Sequence, residues 1–155
     1  TGRLGGPLLA LRALEAGQAP APDHRERFAH PVPRLREGRW LAAHGATACI
    51  DCSDGVGADA SHLAAASGVR ITLDLERLPL VTGATPADAA SGGEEYELIV
   101  TAPDTLDRQA FEHEFGVPLT AIGNVEAAGA GAAGVETHEG ARRVPLPRGH
   151  SHFSG

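Results

Sequence analysis

The sequence predicts an α+β domain built in layers, in which helices cover a β-sheet. Short apolar runs typical of strands are mixed with longer segments typical of helices, and no strict repeat relates them. The chain has 155 residues, a length that fits a single domain over 1–155 and buries roughly two thirds of its unfolded surface. Glycine and proline residues, 20 and 11 in number, separate these segments and so mark their ends.

The first half of the chain is expected to be mainly helical around one strand. Pro7 can open a helix that Gly17 ends, and Gly45 ends a helix in which Trp40 and Leu41 face the core. Loops rich in proline are expected at 19–22 and 30–33. The predicted elements are a helix at 7–16, a helix at 35–44, a strand at 46–50 and a helix at 58–67.

The second half is expected to supply most of the strands. Residues 129–134 form a Gly/Ala loop of low complexity, and Glu139-Gly140 indicates a two-residue hairpin turn. The predicted elements are strands at 69–73, 96–101 and 119–125, a helix at 103–115, and hairpin strands at 135–138 and 141–144.

The most informative segment follows the strand at 46–50. Asp51 and Asp54 stand three residues apart with the hydroxyl of Ser53 between them, and Gly55 and Gly57 follow. Magnesium prefers a few hard oxygen ligands together with water and substrate phosphates, which a pair of Asp side chains on a turn can supply. The two glycines would let backbone N–H groups approach a phosphate. The alternative is that Ser53 or Asp54 simply caps the following helix.

A second acidic motif lies just before the strand at 96–101. Gly92 and Gly93 permit a close approach by a ligand, while Glu94 and Glu95 project from the turn. From the residues alone, a solvated acidic turn is the simpler interpretation. Tyr96 and Glu97 are expected to serve strand packing and a surface face.

Taken in order, the motifs along the whole chain resemble the carboxyl-terminal half of thiamine-monophosphate kinase, in the PurM/AIR synthetase-like superfamily. The two most specific are D-x-S-D-G and G-G-E-x-Y-E-L, and they occur here in the family's order. The segments that carry the resemblance are 1–6, 33–38, 50–55, 67–69, 78–80, 92–98, 122–125 and 152–153.

The resemblance implies a mixed β-sheet layered with helices and an ATP-dependent kinase that converts thiamine monophosphate to thiamine diphosphate. It implies direct transfer from ATP with Mg²⁺ ions, and no residue of the chain is expected to act as a covalent nucleophile. Asp51 and Asp54 would bind metal, Ser53 would contact the nucleotide phosphates, and Glu94 with Phe153 would line the thiamine pocket. The full-length form is expected to be a homodimer.

The sequence departs from the family's pattern at three points. Glu95 stands where the family usually has Asp, and Cys52 replaces the usual aliphatic residue. The family's amino-terminal half, which supplies most of the acidic metal ligands, is not in this chain. Since the chain also contains no Met, we expect it to be a piece of a longer protein and to be inactive alone.

Composition argues against several classes of partner. The formal net charge is −7, with 13 basic residues that are all Arg, whereas a nucleic-acid surface needs a basic patch. No apolar run approaches the roughly 20 residues that span a bilayer. We therefore expect a cytoplasmic protein that binds neither nucleic acid nor membrane.

Two alternatives come from other classes. One is another ATP-dependent enzyme of the AIR synthetase-like superfamily, although the equivalents of the two motifs differ there. The other is a zinc or redox module that uses Cys49 and Cys52, with His150 and His152 as the second ligand pair. Against zinc, the H-x-H spacing of His150 and His152 departs from the spacing of usual zinc sites. Against a redox role, Cys49 falls within a strand, whereas a redox cysteine needs a helix amino terminus. The other His residues, His24 among them, are expected at surface or loop positions.

Overall fold

The computed structural model describes residues 1–129, 131–147 and 149. Helices and strands are mixed along the chain, which confirms the predicted α+β class. The helices are α1 (Gly6–Glu15), α2 (Pro22–Ala29), α3 (Leu35–Ala43), α4 (Val56–Ser67), α5 (Pro86–Ser91) and α6 (Arg108–Phe115). The strands are β1 (Ala48–Asp51), β2 (Val69–Asp74), β3 (Leu98–Thr101), β4 (Gly123–Ala127), β5 (Gly134–Glu139) and β6 (Arg142–Val144).

The strands form two sheets, one of which is mixed. In the larger sheet the order is β4-β2-β5-β6, where β2 and β5 are parallel and the other neighbours are antiparallel. The smaller sheet is the antiparallel pair β1 and β3, in which Ile50 lies opposite Ile99 and Asp51 opposite Leu98. This pairing places the end of β1, where the first acidic motif begins, beside the start of β3, where the second motif ends.

Helix α4 connects the sheets through its buried face. Val56, Ala60 and Leu63 of this helix lie in the main core with Ile71 and Leu73 of β2. A second cluster, formed by Leu41, Phe111 and Leu119, packs α3 against α6 and lies beside Trp40. The start of α4 is therefore fixed by core packing, and the polar turn before it is held on a rigid element.

Two helices were missed in the sequence. Helix α5 carries a readable signal, because Thr85 and Asp88 form a capping box around Pro86. Helix α2 begins with Pro22 but is mostly polar, so periodicity gives little warning of it, and it packs against α1. The surface or loop prediction for His24 is wrong, since this residue lies in α2 with only 9% of its surface exposed.

Several boundaries also shift for local reasons. Asp107 accepts a hydrogen bond from the Ala110 N–H and so starts α6 later than predicted. The hairpin of β5 and β6 is present, but Glu139 pairs with Arg142, so its turn residues are Gly140 and Ala141. Among the described residues, no helix combines the length and the apolar character needed to cross a bilayer.

Candidate functional site

The first acidic motif forms the turn between β1 and α4. Asp51 is the last residue of β1 and is exposed, whereas Ser53 and Asp54 are partly buried. Cys52 points into the core and has 1% of its surface exposed. The inward Cys52 therefore separates outward-facing polar residues, and the turn presents two carboxylates and a hydroxyl on a fixed backbone.

Backbone hydrogen bonds attach the second motif directly to this turn. Beyond the last pair of the β1–β3 ladder, Cys52 N donates to Glu97 O at 2.7 Å and Tyr96 N donates to Cys52 O at 2.9 Å. One step further, Glu94 N donates to Ser53 O at 2.8 Å. The structure thus brings together four of the five predicted site residues, Asp51, Ser53, Asp54 and Glu94, from segments some 40 residues apart.

The second motif has an unusual backbone. Glu94 and Tyr96 have φ angles of 63° and 52°, and they are the only residues other than glycine with positive φ in the part of the chain described. This conformation costs L-residues roughly 1–2 kcal/mol each. Tyr96 for this reason lies outside β3, which was predicted to include it. Such strain persists only where neighbouring contacts hold it.

One consequence of this backbone is that Glu95 turns inward while its neighbours stay partly exposed. Glu95 is 7% exposed, and its Oε1 accepts a hydrogen bond from the Gly5 N–H at 2.5 Å. On the outer side the Tyr96 hydroxyl donates to Glu94 Oε2 at 2.8 Å. The predicted solvated acidic turn is wrong for Glu95, and the substitution of Glu for Asp there concerns a buried anchor.

The glycines of the first motif serve packing. Gly55 has a φ of 103°, and a Cβ there would lie 3.0 Å from the carbonyl oxygen of Ala90. A Cβ at Gly57 would lie 3.1 Å from the carbonyl oxygen of Pro147. α5 and the segment after β6 therefore lie against the side of each glycine on which a side chain would stand, and access of the two N–H groups to a phosphate stays a prediction.

The helix-capping alternative is also contradicted. The N-cap residue of α4 is Gly55, and this helix end has no side-chain cap hydrogen bond. Ser53 and Asp54 precede the cap, so holding the helix end does not explain their polar side chains. A ligand-binding role for this turn is thereby strengthened.

Asp59 supports the turn and was not singled out in the sequence. Its side chain, in the first turn of α4, is buried, and its Oδ2 accepts a hydrogen bond from the Asp54 N–H at 3.0 Å. Burial raises the pKa of Asp59, and the nearby carboxylates of Asp54 and Asp51 add to the increase. An acid at this helical position would have been the signal, since it lies one turn after Gly55.

Negative charge is concentrated at this site. The hydrogen bond to Glu94 raises the pKa of Tyr96, and the charges of Asp51 and Asp54 act in the same direction. Among the described residues, no group of three or more His, Cys, Asp or Glu could hold a metal ion by itself. The donor set of Asp51 and Asp54 nevertheless suits a cation such as Mg²⁺, which takes its other ligands from water and phosphates.

Glu97 corrects another expectation. It was assigned to a surface face, but it is 2% exposed and binds Arg34 through two hydrogen bonds of 2.6 and 3.0 Å. The Thr1 hydroxyl donates to the same carboxylate at 2.7 Å. Glu97 therefore ties the chain start and α3 to β3, and the sequence offered no sign of its distant partners.

The cysteine pair lacks the features of a redox site. Burial raises the pKa of the Cys49 thiol and raises that of Cys52 well above its usual value, whereas reactive cysteines have lowered pKa values. Cys49 is exposed on β1 and Cys52 is in the core. His150, His152 and Phe153 lie outside the described residues, so the zinc alternative and the predicted role of Phe153 stay predictions.

A cleft of about 970 Å³ lies elsewhere, between the two sheets. Its described lining is mainly apolar and includes Leu63, Ile71 and Leu98. Asp51, Asp54 and Glu94 are absent from that lining among the described residues. Cys52 and Glu97 do line the cleft, so it lies against the inner side of the two motifs and does not reach their predicted ligand-binding side chains.

We expect the buried Glu95 to make stability pH-dependent. Burial raises its pKa from 4.5 to about 7, so the folded state binds a proton more tightly than the unfolded state does. The free energy of unfolding should fall by up to about 3 kcal/mol between pH 4.5 and pH 7.5 through this group. Urea unfolding at several pH values measures it. The Glu95→Gln variant should lack this component, and equal pH slopes in the two proteins would contradict the assignment.

A known family model and sequence relatives both match most of this chain. A family model described as AIR synthase related protein, C-terminal domain, matches residues 3–136. The thiamine-monophosphate kinase of Methanopyrus kandleri is 36% identical over 97% of this chain, which corresponds to 47% of the relative's length. The chain thus spans about half the length of such relatives.

Solved structures agree in fold. The crystal structure of thiamine-monophosphate kinase from Stenotrophomonas maltophilia K279a is similar with a TM-score of 0.75 and 33% identity, over 88% of this chain and 48% of that one. The structure described as AaThiL complexed with AMPPCP and TMP gives a TM-score of 0.79 and 30% identity, over 99% of this chain and 50% of that one. The predicted mixed sheet with covering helices is confirmed.

Proposed function

Because this chain belongs to the family of AIR synthase related proteins, through their C-terminal domain, we propose that it is the carboxyl-terminal domain of a thiamine-monophosphate kinase. The single observation that carries the proposal is the backbone hydrogen bond between the two acidic motifs, in which Glu94 N donates to Ser53 O at 2.8 Å. It supports the proposal because the turn proposed to bind metal and phosphate lies beside the residue proposed to bind the substrate. The kinases similar in sequence and in fold support the same activity.

Each residue of the site has a proposed task. Asp51 and Asp54 bind Mg²⁺, which neutralises phosphate charge and helps to align the phosphates when it is present. Ser53 contacts the phosphates of ATP, and Glu94 binds the thiamine moiety together with Phe153. The phosphate of thiamine monophosphate accepts the terminal phosphoryl group of ATP, and ADP leaves. Positioning and electrostatics supply the catalysis.

The site is incomplete in acidic ligands. Asp51 and Asp54 provide two carboxylates, and no larger metal-holding group occurs among the described residues. We propose that 1–155 is one domain and that the amino-terminal half of the kinase supplies the remaining ligands and much of the nucleotide site. The complete enzyme is proposed to be a homodimer.

The isolated chain should therefore show no measurable thiamine-monophosphate kinase activity. Two carboxylates leave the phosphates of ATP poorly neutralised and poorly positioned, and transfer depends on both. Formation of thiamine diphosphate from ATP and thiamine monophosphate, followed by chromatography, checks this. Adding the amino-terminal half should restore activity. Steady turnover by the chain alone would refute the proposal that the amino-terminal half supplies the remaining ligands. An inactive full-length protein would contradict the proposed function.

The pocket assignment predicts selective effects on the thiamine ester. In the full-length protein, Glu94→Gln and Phe153→Ala should each weaken thiamine monophosphate binding several-fold and leave ATP affinity nearly unchanged. Loss of a stacked ring or of a charged hydrogen bond costs about 1 kcal/mol or more. Calorimetric titration of each ligand measures this. Glu114→Gln, an exposed acid on α6, is the matched control, and equal losses for both ligands would place the pocket elsewhere.

A further inference from the structure

Tyr96 is the only tyrosine of the chain, and its hydroxyl contacts the acidic site through Glu94. It donates a hydrogen bond to Glu94 Oε2 at 2.8 Å. The charges of Asp51 and Asp54 also act on the phenol, so a hydroxyl bound to the predicted substrate residue lies within the electrostatic influence of the predicted metal turn. Sequence patterning had assigned Tyr96 to strand packing, but its strained backbone places it before β3.

The position of this hydroxyl is fixed by contacts on three sides of the segment. Tyr96 N donates to Cys52 O, and Glu94 N donates to Ser53 O, at 2.9 and 2.8 Å. Between them, the buried Glu95 side chain accepts a hydrogen bond from the Gly5 N–H. Glu94 and Tyr96, the two residues with positive φ angles, lie on either side of the inward-facing Glu95. Their side chains meet in the hydrogen bond between the Tyr96 hydroxyl and Glu94.

We propose that Tyr96 is a positioning residue for substrate specificity, whose hydroxyl holds the Glu94 carboxylate ready to accept an N–H bond from an amino-bearing heterocycle. This inference rests on the proposed function. A carboxylate has about four acceptor positions, and one whose orientation is held by a hydroxyl loses less conformational entropy when it accepts a further N–H bond. A ligand with a carbonyl in place of the amino group would face the carboxylate with an acceptor and be rejected.

Oxythiamine monophosphate, which carries that carbonyl in place of the amino group, is the probe. In the full-length protein we expect it to bind at least tenfold more weakly than thiamine monophosphate. Tyr96→Phe should weaken thiamine monophosphate binding about three- to tenfold and reduce the preference over the oxythiamine ester, with ATP affinity and melting temperature unchanged. The range corresponds to the loss of one hydrogen bond. Because the variant keeps the ring, a change in packing is avoided.

A double-mutant cycle separates this role from a purely structural one. If Tyr96 acts through Glu94, then Tyr96→Phe should have little further effect in a Glu94→Gln background. Additive losses, or unchanged discrimination by Tyr96→Phe, would overturn the inference while leaving the proposed function intact. Absence of thiamine monophosphate binding by the unmodified full-length protein would instead overturn both.

Discussion

In the full-length protein, Asp51→Asn or Asp54→Asn should lower the turnover of thiamine monophosphate by about two orders of magnitude or more. Each change removes one negative charge from a site where cations must balance the phosphates of both substrates. Removal of a single group that stabilises the transition state typically costs 10²–10³ in rate. The loss should be larger at low Mg²⁺ concentration, because the remaining carboxylate binds the cation more weakly. Steady-state rates over a Mg²⁺ series measure both effects.

The structure supplies controls for this prediction. Asp51 is exposed and Gly55, not Asp54, is the N-cap of α4, so neither amide should lower the melting temperature greatly. Asp23→Asn alters an acid on α2 that is 66% exposed in its side chain, and it should leave the rate unchanged. Near-normal turnover in both Asn variants would remove the metal role from this turn.

The sequence predicted the turn that carries Asp51 and Asp54 better than it predicted the neighbours of that turn in space. The strand that ends at Asp51 and the helix that contains Gly57 could both be predicted to within two residues, because an apolar run and a helical pattern meet at a polar turn. The position of Glu94 beside that turn was not readable from local patterning. It depends on antiparallel pairing of β1 with β3 and on an irregular extension of that ladder.

The buried acids show where sequence patterning fails. Glu94, Glu95 and Glu97 are neighbours with similar chemistry, yet Glu95 and Glu97 are buried and Glu94 is not. Side chains two residues apart on a regular strand point to the same face, so alternation predicts that Glu95 and Glu97 share one environment, and both are indeed buried. Because both residues are acidic, however, the sequence analysis expected that environment to be solvent. Only the distant partners, Gly5 for Glu95 and Arg34 for Glu97, reverse the assignment.

The glycines of the first motif give a related lesson. Gly55 and Gly57 follow acidic residues, and the sequence suggested a backbone open to phosphate. On the side where a side chain would stand, both positions are filled by carbonyl groups from α5 and from the segment after β6. A glycine pattern therefore indicated close approach correctly, but it could not say that the approaching atoms belong to the chain itself.

Arg34→Ala should destabilise the chain by about 3–5 kcal/mol, the typical cost of leaving a buried charge without its partner. Arg34 binds Glu97 through two hydrogen bonds, and the Glu97 side chain is only 3% exposed. Thr1 would still donate to Glu97, and Arg27, at 3.8 Å, is a weaker substitute. Urea unfolding of the chain and of the variant at pH 7 measures the difference.

The pH dependence makes this prediction specific to Glu97. Burial acts to raise the pKa of this carboxyl, but the hydrogen bonds from Arg34 and Thr1 outweigh it, and the pKa is lowered below 4.5. Its stabilising effect is therefore present above pH 4.5 and lost on further acidification. Without Arg34 the carboxyl should protonate at higher pH, so the difference between the two proteins should shrink between pH 7 and pH 4. Arg36→Ala loses an exposed contact to Glu114 at 4.0 Å and a guanidinium 5.8 Å from the centre of the Phe115 ring, so it should change stability by no more than about 1 kcal/mol, and equally at both pH values. A loss for Arg34→Ala that is equally large at pH 4 would mean that packing of the arginine, and not the charge of Glu97, holds α3 to β3.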